Sequence, residues 1–178
     1  MLHLTTNNIS PFLLLKAGDV LTLSGTVYTA RDAAHKRLIQ AIAKNEPLPF
    51  PLQKTFIYFA GPTPAKPGQP IGSCGPTTSS RMDSFSPALY DQGLFCTIGK
   101  GERAEVVRSA CKRNRSLYLC AIGGAGALAA KHIIDATVIA YEDLGCESIK
   151  KLTFLDFPLT VAIDSEGNDL FERRCKFE

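Results

Sequence analysis

An α/β domain with a largely parallel core sheet is the fold class that this sequence predicts. Two observations carry that expectation. Short apolar, β-rich runs alternate with segments whose apolar residues recur at helical spacing, the pattern of strands joined by crossover helices. The 178 residues, 45% of them hydrophobic and 21% charged, suit one domain spanning residues 1–178. A chain of that size buries a core without disulfide or metal staples, and its ordinary composition excludes disordered, collagen-like and coiled-coil classes.

The elements follow in order. Residues 19–28 are β-rich and interrupted by Gly25, which predicts a strand with a bend or bulge. From Arg31 the pattern becomes helical, with Ala34, Leu38, Ala41 and Ile42 on one face. Thr29 is a candidate cap, Asp32 and Lys36 a favourable i,i+4 pair, and Pro47, Pro49 and Pro51 end the element. Residues 55–60 form a short apolar strand, followed by a Gly/Pro-rich loop over 61–76. A second helix begins near Thr78 and runs toward Tyr90, with Pro87 limiting its length. Residues 94–98 are a strand and 102–112 a helix, with Glu102 and Glu105 in its first turn and Arg108, Lys112 and Arg113 in its last, as the helix dipole prefers. A strand over 116–122 leads through Gly123-Gly124 into an Ala-rich helix ending near Ile134. Residues 137–141, 149–157 and 160–163 are further strands, and 165–168 a turn.

Composition narrows the function classes. Twenty Lys+Arg against 17 Asp+Glu leave a formal charge of only +3. The basic group Lys112, Arg113 and Arg115 lacks interleaved aromatics, so nucleic-acid binding is not expected. Apolar runs such as residues 12–15 fall far short of the roughly 20 residues that cross a bilayer. No basic segment precedes an apolar one as in a signal peptide, so no membrane and a cytoplasmic location are expected. The six Cys (74, 96, 111, 120, 146 and 175) show no C-x-x-C or Cys/His spacing. They read as scattered thiols, and no metal is expected on this chain. Gly124-x-Gly126-x-x-Ala129 follows a strand and opens a helix like a dinucleotide turn, but it stands late in the chain rather than at its start.

In open α/β sheets, ligands bind beyond the carboxyl ends of the strands. Arg31 and His35 lie one helical turn apart at such an end, and Thr77, Thr78 and Arg81 lie in GPTTSSRMD where a loop enters a helix. Lys100 sits between Gly99 and Gly101 directly after a strand. Two guanidiniums, an ammonium, an imidazole, two hydroxyls and free backbone N–H groups suit a small, multiply charged anion. Each residue also has a plain reading: His35 as a surface or capping group, Arg31 with Asp32 as a surface pair, Thr77-Thr78 as a cap, and Lys100 as a solvated turn residue.

Six motifs stand together along residues 18–171: GDVLTLSGTVYTARDAAHKRL (18–38), YFAGP (58–62), GPTTSSRMD (75–83), GKG (99–101), IGGAGALAA (122–130) and DFPLTVAIDSEGNDLF (156–171). In that order they resemble the β subunit, or C-terminal domain, of class I iron–sulfur fumarate hydratases and the related tartrate dehydratases. The resemblance implies a swivelling β/β/α domain that closes over a [4Fe-4S] cluster held by a separate α subunit, in an α2β2 assembly acting on a dicarboxylate. It implies His35 and Thr77 as catalytic, the two remaining alternative candidates for the base, and Arg31, Thr78, Arg81 and Lys100 as substrate-binding. SGTVYTARDAAHKR and RMD look closer to the fumarate hydratases, which interconvert (S)-malate and fumarate; L(+)-tartrate dehydration and a non-catalytic small-anion-binding module are the alternatives. Cys74, before the glycine of GPTT, departs from the apolar residue more usual in relatives.

Overall fold

Strands rather than helices dominate the computed structural model, which describes residues 2–172. In chain order the elements are β1 (Leu2–Thr5), β2 (Val20–Thr29), α1 (Asp32–Ala43), β3 (Phe56–Tyr58), α2 (Ser86–Asp91), β4 (Cys96–Gly99), α3 (Glu105–Asn114), β5 (Leu117–Cys120), α4 (Gly126–Ala130), β6 (Ile133–Ala140) and β7 (Ile149–Ile163). Short 3₁₀ turns at Ser10–Leu14, Ser79–Met82 and Glu142–Glu147 fill the connections.

All seven strands form one sheet in the order β1-β2-β3-β4-β5-β7-β6, and β2 pairs back onto β7. That extra pairing joins β2, β3, β4, β5 and β7 into a closed, barrel-like ring, so the fold is mixed α/β around a closed sheet. Neighbours from β1 to β5 are parallel, as expected from the βα alternation. The expectation of a largely parallel sheet is corrected in the last third, where β7 runs antiparallel to β2, β5 and β6. The cause is connectivity: β6 and β7 are joined by a short turn, and without a crossover helix consecutive paired strands must be antiparallel.

Side-chain alternation sorts the core into two layers. Phe56 and Tyr58 of β3, Ile98 of β4, Leu117 and Leu119 of β5, and Phe154 and Phe157 of β7 meet in one buried cluster. Drawn from strands all round the ring, that cluster fills its interior. Phe154 and Phe157 stack at 4.2 Å, and Tyr58 meets both edge-on. The intervening residues, Ile57, Phe59 and Tyr118, pack outward against Leu38 of α1, Leu89 of α2 and Val107 of α3. Layers on both faces explain why β3, β4 and β5 are buried almost continuously.

Several local expectations shift. The strands read at 149–157 and 160–163 are one strand, β7, and Pro158 falls where its partner changes from β6 to β5. Between Leu23 and Gly25 of β2 the register on β7 moves from Phe157 to Phe154, an extra residue on β7 that makes a bulge. Gly25 takes φ +118 there, and Asp156 takes φ +49 with its N–H donating to Ser24 Oγ at 2.9 Å. The helix read near 78–90 divides into the Ser79–Met82 turn and α2, whose first turn holds Pro87, the position where a missing N–H costs least. The Ala-rich helix stops at Ala130, because the β-branched run that follows pairs with β7 as β6. Glu102 lies ahead of α3 rather than in its first turn. Thr29 caps nothing: its hydroxyl donates to Ser148 O and accepts the Lys150 N–H.

Because a Cβ on Gly25 would collide with the Thr6 hydroxyl at a φ that L-residues avoid, Gly25→Ala is expected to destabilise the fold by about 1–3 kcal/mol. Urea titration would show a lower midpoint with an unchanged m-value, and an unchanged midpoint would refute it.

Candidate functional site

Parallel β2, β3, β4 and β5 end on the same side of the ring, so the loops that follow them share one rim. Arg31 leaves β2 as the N-cap of α1, with extended backbone at φ −118. Its side chain lies across Gly61, after β3, where a Cβ would come within 2.7 Å of Nη1. Thr77 is anchored by its N–H, which donates to Phe59 O at 2.7 Å. Thr78 and Lys100 form a parallel bridge. Ser79 N–H donates to Lys100 O at 3.0 Å, and Lys100 N–H donates to Ser79 Oγ at 2.9 Å. Only glycine fits before Lys100, since a Cβ on Gly99 would overlap Ser79 Oγ. The Lys100 stem then runs beside Gly123, after β5, where a Cβ would sit 3.3 Å from Cδ.

These contacts bring Arg31, Thr77, Thr78, Arg81 and Lys100 onto one rim through adjoining loops, half-buried or exposed, while His35 lies beneath it. Two features differ from the expectation. Free backbone N–H groups are expected at these turns, yet those of Thr77, Ser79 and Lys100 are spent within the protein. Both arginines also already hold carboxylates. Asp32, read as a partner for Lys36 and for Arg31, grips Arg81 in place of Lys36: Nε donates to Oδ1 at 2.9 Å and Nη2 stands 2.8 Å from Oδ2. Arg31 Nη2 is 3.9 Å from Asp32 and 3.4 Å from Glu147, whose other oxygen accepts the Ala33 N–H at 3.0 Å in the first turn of α1. Arg31 Nε is buried with no hydrogen-bond partner. Lys100 makes no ion pair among the described residues.

His35 is fully buried, edge-on to Phe59 at 5.3 Å and tilted against Phe85. Its Nδ1 lies 2.9 Å from the Arg31 carbonyl, which can only accept, so the proton resides on Nδ1. Nε2 is then a buried lone pair without a partner. Burial outweighs that hydrogen bond and lowers the imidazole pKa to about 4, so the ring is neutral at physiological pH.

Glu147 and a buried guanidinium, Arg103, belong to the site's construction together with Asp32, and unlike Asp32 they were not legible locally. Glu147 lies more than a hundred residues from Arg31, and nothing in GERAE marks Arg103 as buried. A cavity of about 370 Å3 beside the rim is lined by Pro62, Ile71, Val138, Cys146 and Lys150 among others, and by none of the six candidate residues. On the rim itself Thr78 and Arg81 are exposed, and Arg31, Thr77 and Lys100 are half-buried. Among the described residues no group of three His, Cys, Asp or Glu side chains could hold a metal ion. Cys74, Cys96 and Cys111 are separately buried, with burial pushing each thiol pKa up, and Cys175 lies outside the described residues.

Comparison with known proteins adds three findings. A family model described as the fumarase C-terminus matches residues 3–174. The chain is 38% identical to fumarate hydratase 2 of Leishmania major over 88% of its own length, and 39% identical to the anaerobic class I fumarate hydratase of Escherichia coli K12 over 86%. In each case it spans only 28% of the relative's length. It is 34% identical to the L(+)-tartrate dehydratase subunit beta of Escherichia coli K12, covering 91% of this chain and 82% of that subunit.

The buried imidazole sets a pH dependence. Above pH 6.5 both folded and unfolded chains carry neutral His35, and its contribution is constant. Below pH 6.5 the unfolded chain takes the proton and the folded chain does not, so stability falls until the pH reaches about 4. A shift from 6.5 to about 4, at 1.36 kcal/mol per unit, corresponds to a loss of roughly 3 kcal/mol. Urea midpoints followed from pH 7.5 to 4 should show that loss in the native chain and not in His35→Asn; parallel curves would disprove it.

Proposed function

The chain belongs to the fumarase C-terminus family, and on that premise we propose that it is the β part of a [4Fe-4S]-dependent hydro-lyase interconverting (S)-malate and fumarate plus water. In this reading the closed sheet with its outer helices is the swivelling β/β/α domain, working in the cytoplasm in an α2β2 assembly. No helix among the described residues is long and apolar enough to cross a membrane. The cluster and its ligands belong to the α subunit. The described residues do not fit it, and this chain contributes charge, hydrogen bonding and proton handling.

The observation that carries the proposal is the gathering of Arg31, Thr77, Thr78, Arg81 and Lys100 on one rim, with the Lys100 ammonium unpaired among the described residues. Dehydrating malate requires removal of a weakly acidic C–H beside a carboxylate, which places an extra negative charge on that carboxylate. A cation already aimed at it stabilises the charge as it develops. Lys100 is available at once. Arg81 becomes available when a substrate carboxylate replaces Asp32 on its fork, an exchange of like for like. Thr78, exposed beside Lys100, offers a hydroxyl to the same anion.

Proton abstraction needs a group that reaches the substrate. Thr77 stands on the rim and is our candidate for that contact, its position set by the hydrogen bond to Phe59. His35 is placed to act through Arg31: it holds the Arg31 carbonyl from below and keeps its neutral Nε2 in the buried layer. L(+)-tartrate is the second reading, favoured by similarity to a tartrate dehydratase β subunit over most of that subunit's length.

Two tests follow. Co-produced anaerobically with its α subunit, the protein should hydrate fumarate faster than it dehydrates L(+)-tartrate, and this chain alone should do neither. With the partner present, Arg81→Ala and Lys100→Ala should each lower kcat/KM by about 100-fold or more. Activity in the isolated chain, or near-normal kinetics in both variants, would end the proposal. Solvent-deuterium exchange at malate C3 separates the base candidates: Thr77→Val should abolish it and His35→Asn should retain part of it. The reverse pattern would make His35 the base.

A further inference from the structure

We propose that Arg103 is a positioning residue that ties the loop carrying Thr77, Thr78 and Arg81 to the loop carrying Lys100, and thereby sets the spacing of the carboxylate-binding groups. Its consequence for turnover rests on the hydro-lyase reading; its mechanical part does not.

The Arg103 side chain is completely buried, three residues beyond Lys100. Its planar fork is addressed on three sides by different elements. Nε donates to Asp83 Oδ1 at 2.5 Å, Nη2 to Ser86 Oγ at 2.7 Å and Nη1 to Thr97 Oγ1 at 3.2 Å. Asp83 Oδ2 accepts the Ala104 N–H at 2.8 Å, so Asp83, two residues after Arg81, is bound twice to the Lys100 side of the site. The faces of the guanidinium are covered as well. Its central carbon lies 5.2 Å from the Phe59 ring and 4.8 Å from the Tyr118 ring. Phe59 is also the acceptor for Thr77 and the ring against His35. Tyr118 donates its hydroxyl to Gly101 O at 2.8 Å and stands 2.9 Å from Ser79 Oγ. One guanidinium thus touches residues that hold both of these loops.

Stability alone gives little reason for such a pair, because replacing a buried ion pair by apolar groups is often neutral or stabilising. Orientation gives a better one. A fork with donors at fixed angles constrains three acceptors at once, which a lysine on a flexible stem cannot reproduce. The Asp of RMD, carried by the sequence motif without an evident task, acquires one as the receiving end of this tie.

The test uses Arg103→Lys in the full chain and in the α–β enzyme, with backbone amide exchange and steady-state kinetics as paired readouts. Exchange at Ser79 and Lys100, whose N–H groups bridge the two loops, should quicken by about 10-fold or more while Val161 in β7 stays protected. In the assembled enzyme kcat should fall by about 10- to 100-fold with little change in KM. Unchanged exchange at Ser79 and Lys100 overturns the proposal, as does quickened exchange with unchanged kcat, and so does general loss of protection that includes Val161 with normal turnover per folded molecule. Should Arg103→Lys not fold, the double variant Arg103→Met/Asp83→Asn, which removes both charges of the pair, carries the same measurements, and normal kcat there overturns the proposal. If the native assembly hydrates no dicarboxylate, the functional reading falls and the exchange result alone decides whether Arg103 ties the loops.

Discussion

The antiparallel ladder between β2 and β7 is the constraint on which the rest of the molecule depends. It carries β7 round to β5 and closes five strands into a ring. Closure links strand tilt to stagger, so the ends of β2, β3, β4 and β5 cannot spread independently. The bulge opposite Gly25 lets one 15-residue strand serve two partners in succession, β6 over its first part and β5 over its last. The aromatic interior around Tyr58, Phe154 and Phe157 then fixes the ring's width.

On this frame the rim is close to electrically balanced at rest. Arg31 and Arg81 share Asp32 and Glu147, two cations against two anions, and the Lys100 charge is left over among the described residues. Such pairing prevents mutual repulsion between guanidiniums on one face. In the proposed reading it also gives an arriving dicarboxylate a low-cost entry, because a carboxylate leaving Arg81 is replaced by another and no guanidinium is left bare in transit.

The sequence carried much of this in local form. The Gly25 interruption, the Arg31–Ile42 periodicity, the Gly61–Pro76 loop and the short apolar strands each correspond to an observed element, because each depends on neighbours in the chain. Closure was not legible: it arises from a pairing between residues 20–28 and 151–160, which no local pattern announces. The six candidate residues were selected from strand-end placement and charge, and the structure puts five on one rim. His35 reads as a polar residue on a first helical turn, yet its burial is decided by Phe59 and Phe85 from other segments. Asp32 was visible with one of its partners, Arg31, but i,i+4 spacing added Lys36 while the fold added Arg81.

The committed N–H groups of Thr77, Ser79 and Lys100 bear on how such a protein can change over generations. Recognition by a backbone cradle is written into the fold and resists revision, because every residue contributes the same N–H. Here three of the rim's backbone donors are consumed in joining the loops, and Thr78 and Arg81 stand exposed beside them. In the proposed reading the specificity of the rim is carried in part by side chains, which can change while the ring and its ties stay as they are. A single scaffold can in this way serve relatives named for fumarate hydration and for L(+)-tartrate dehydration.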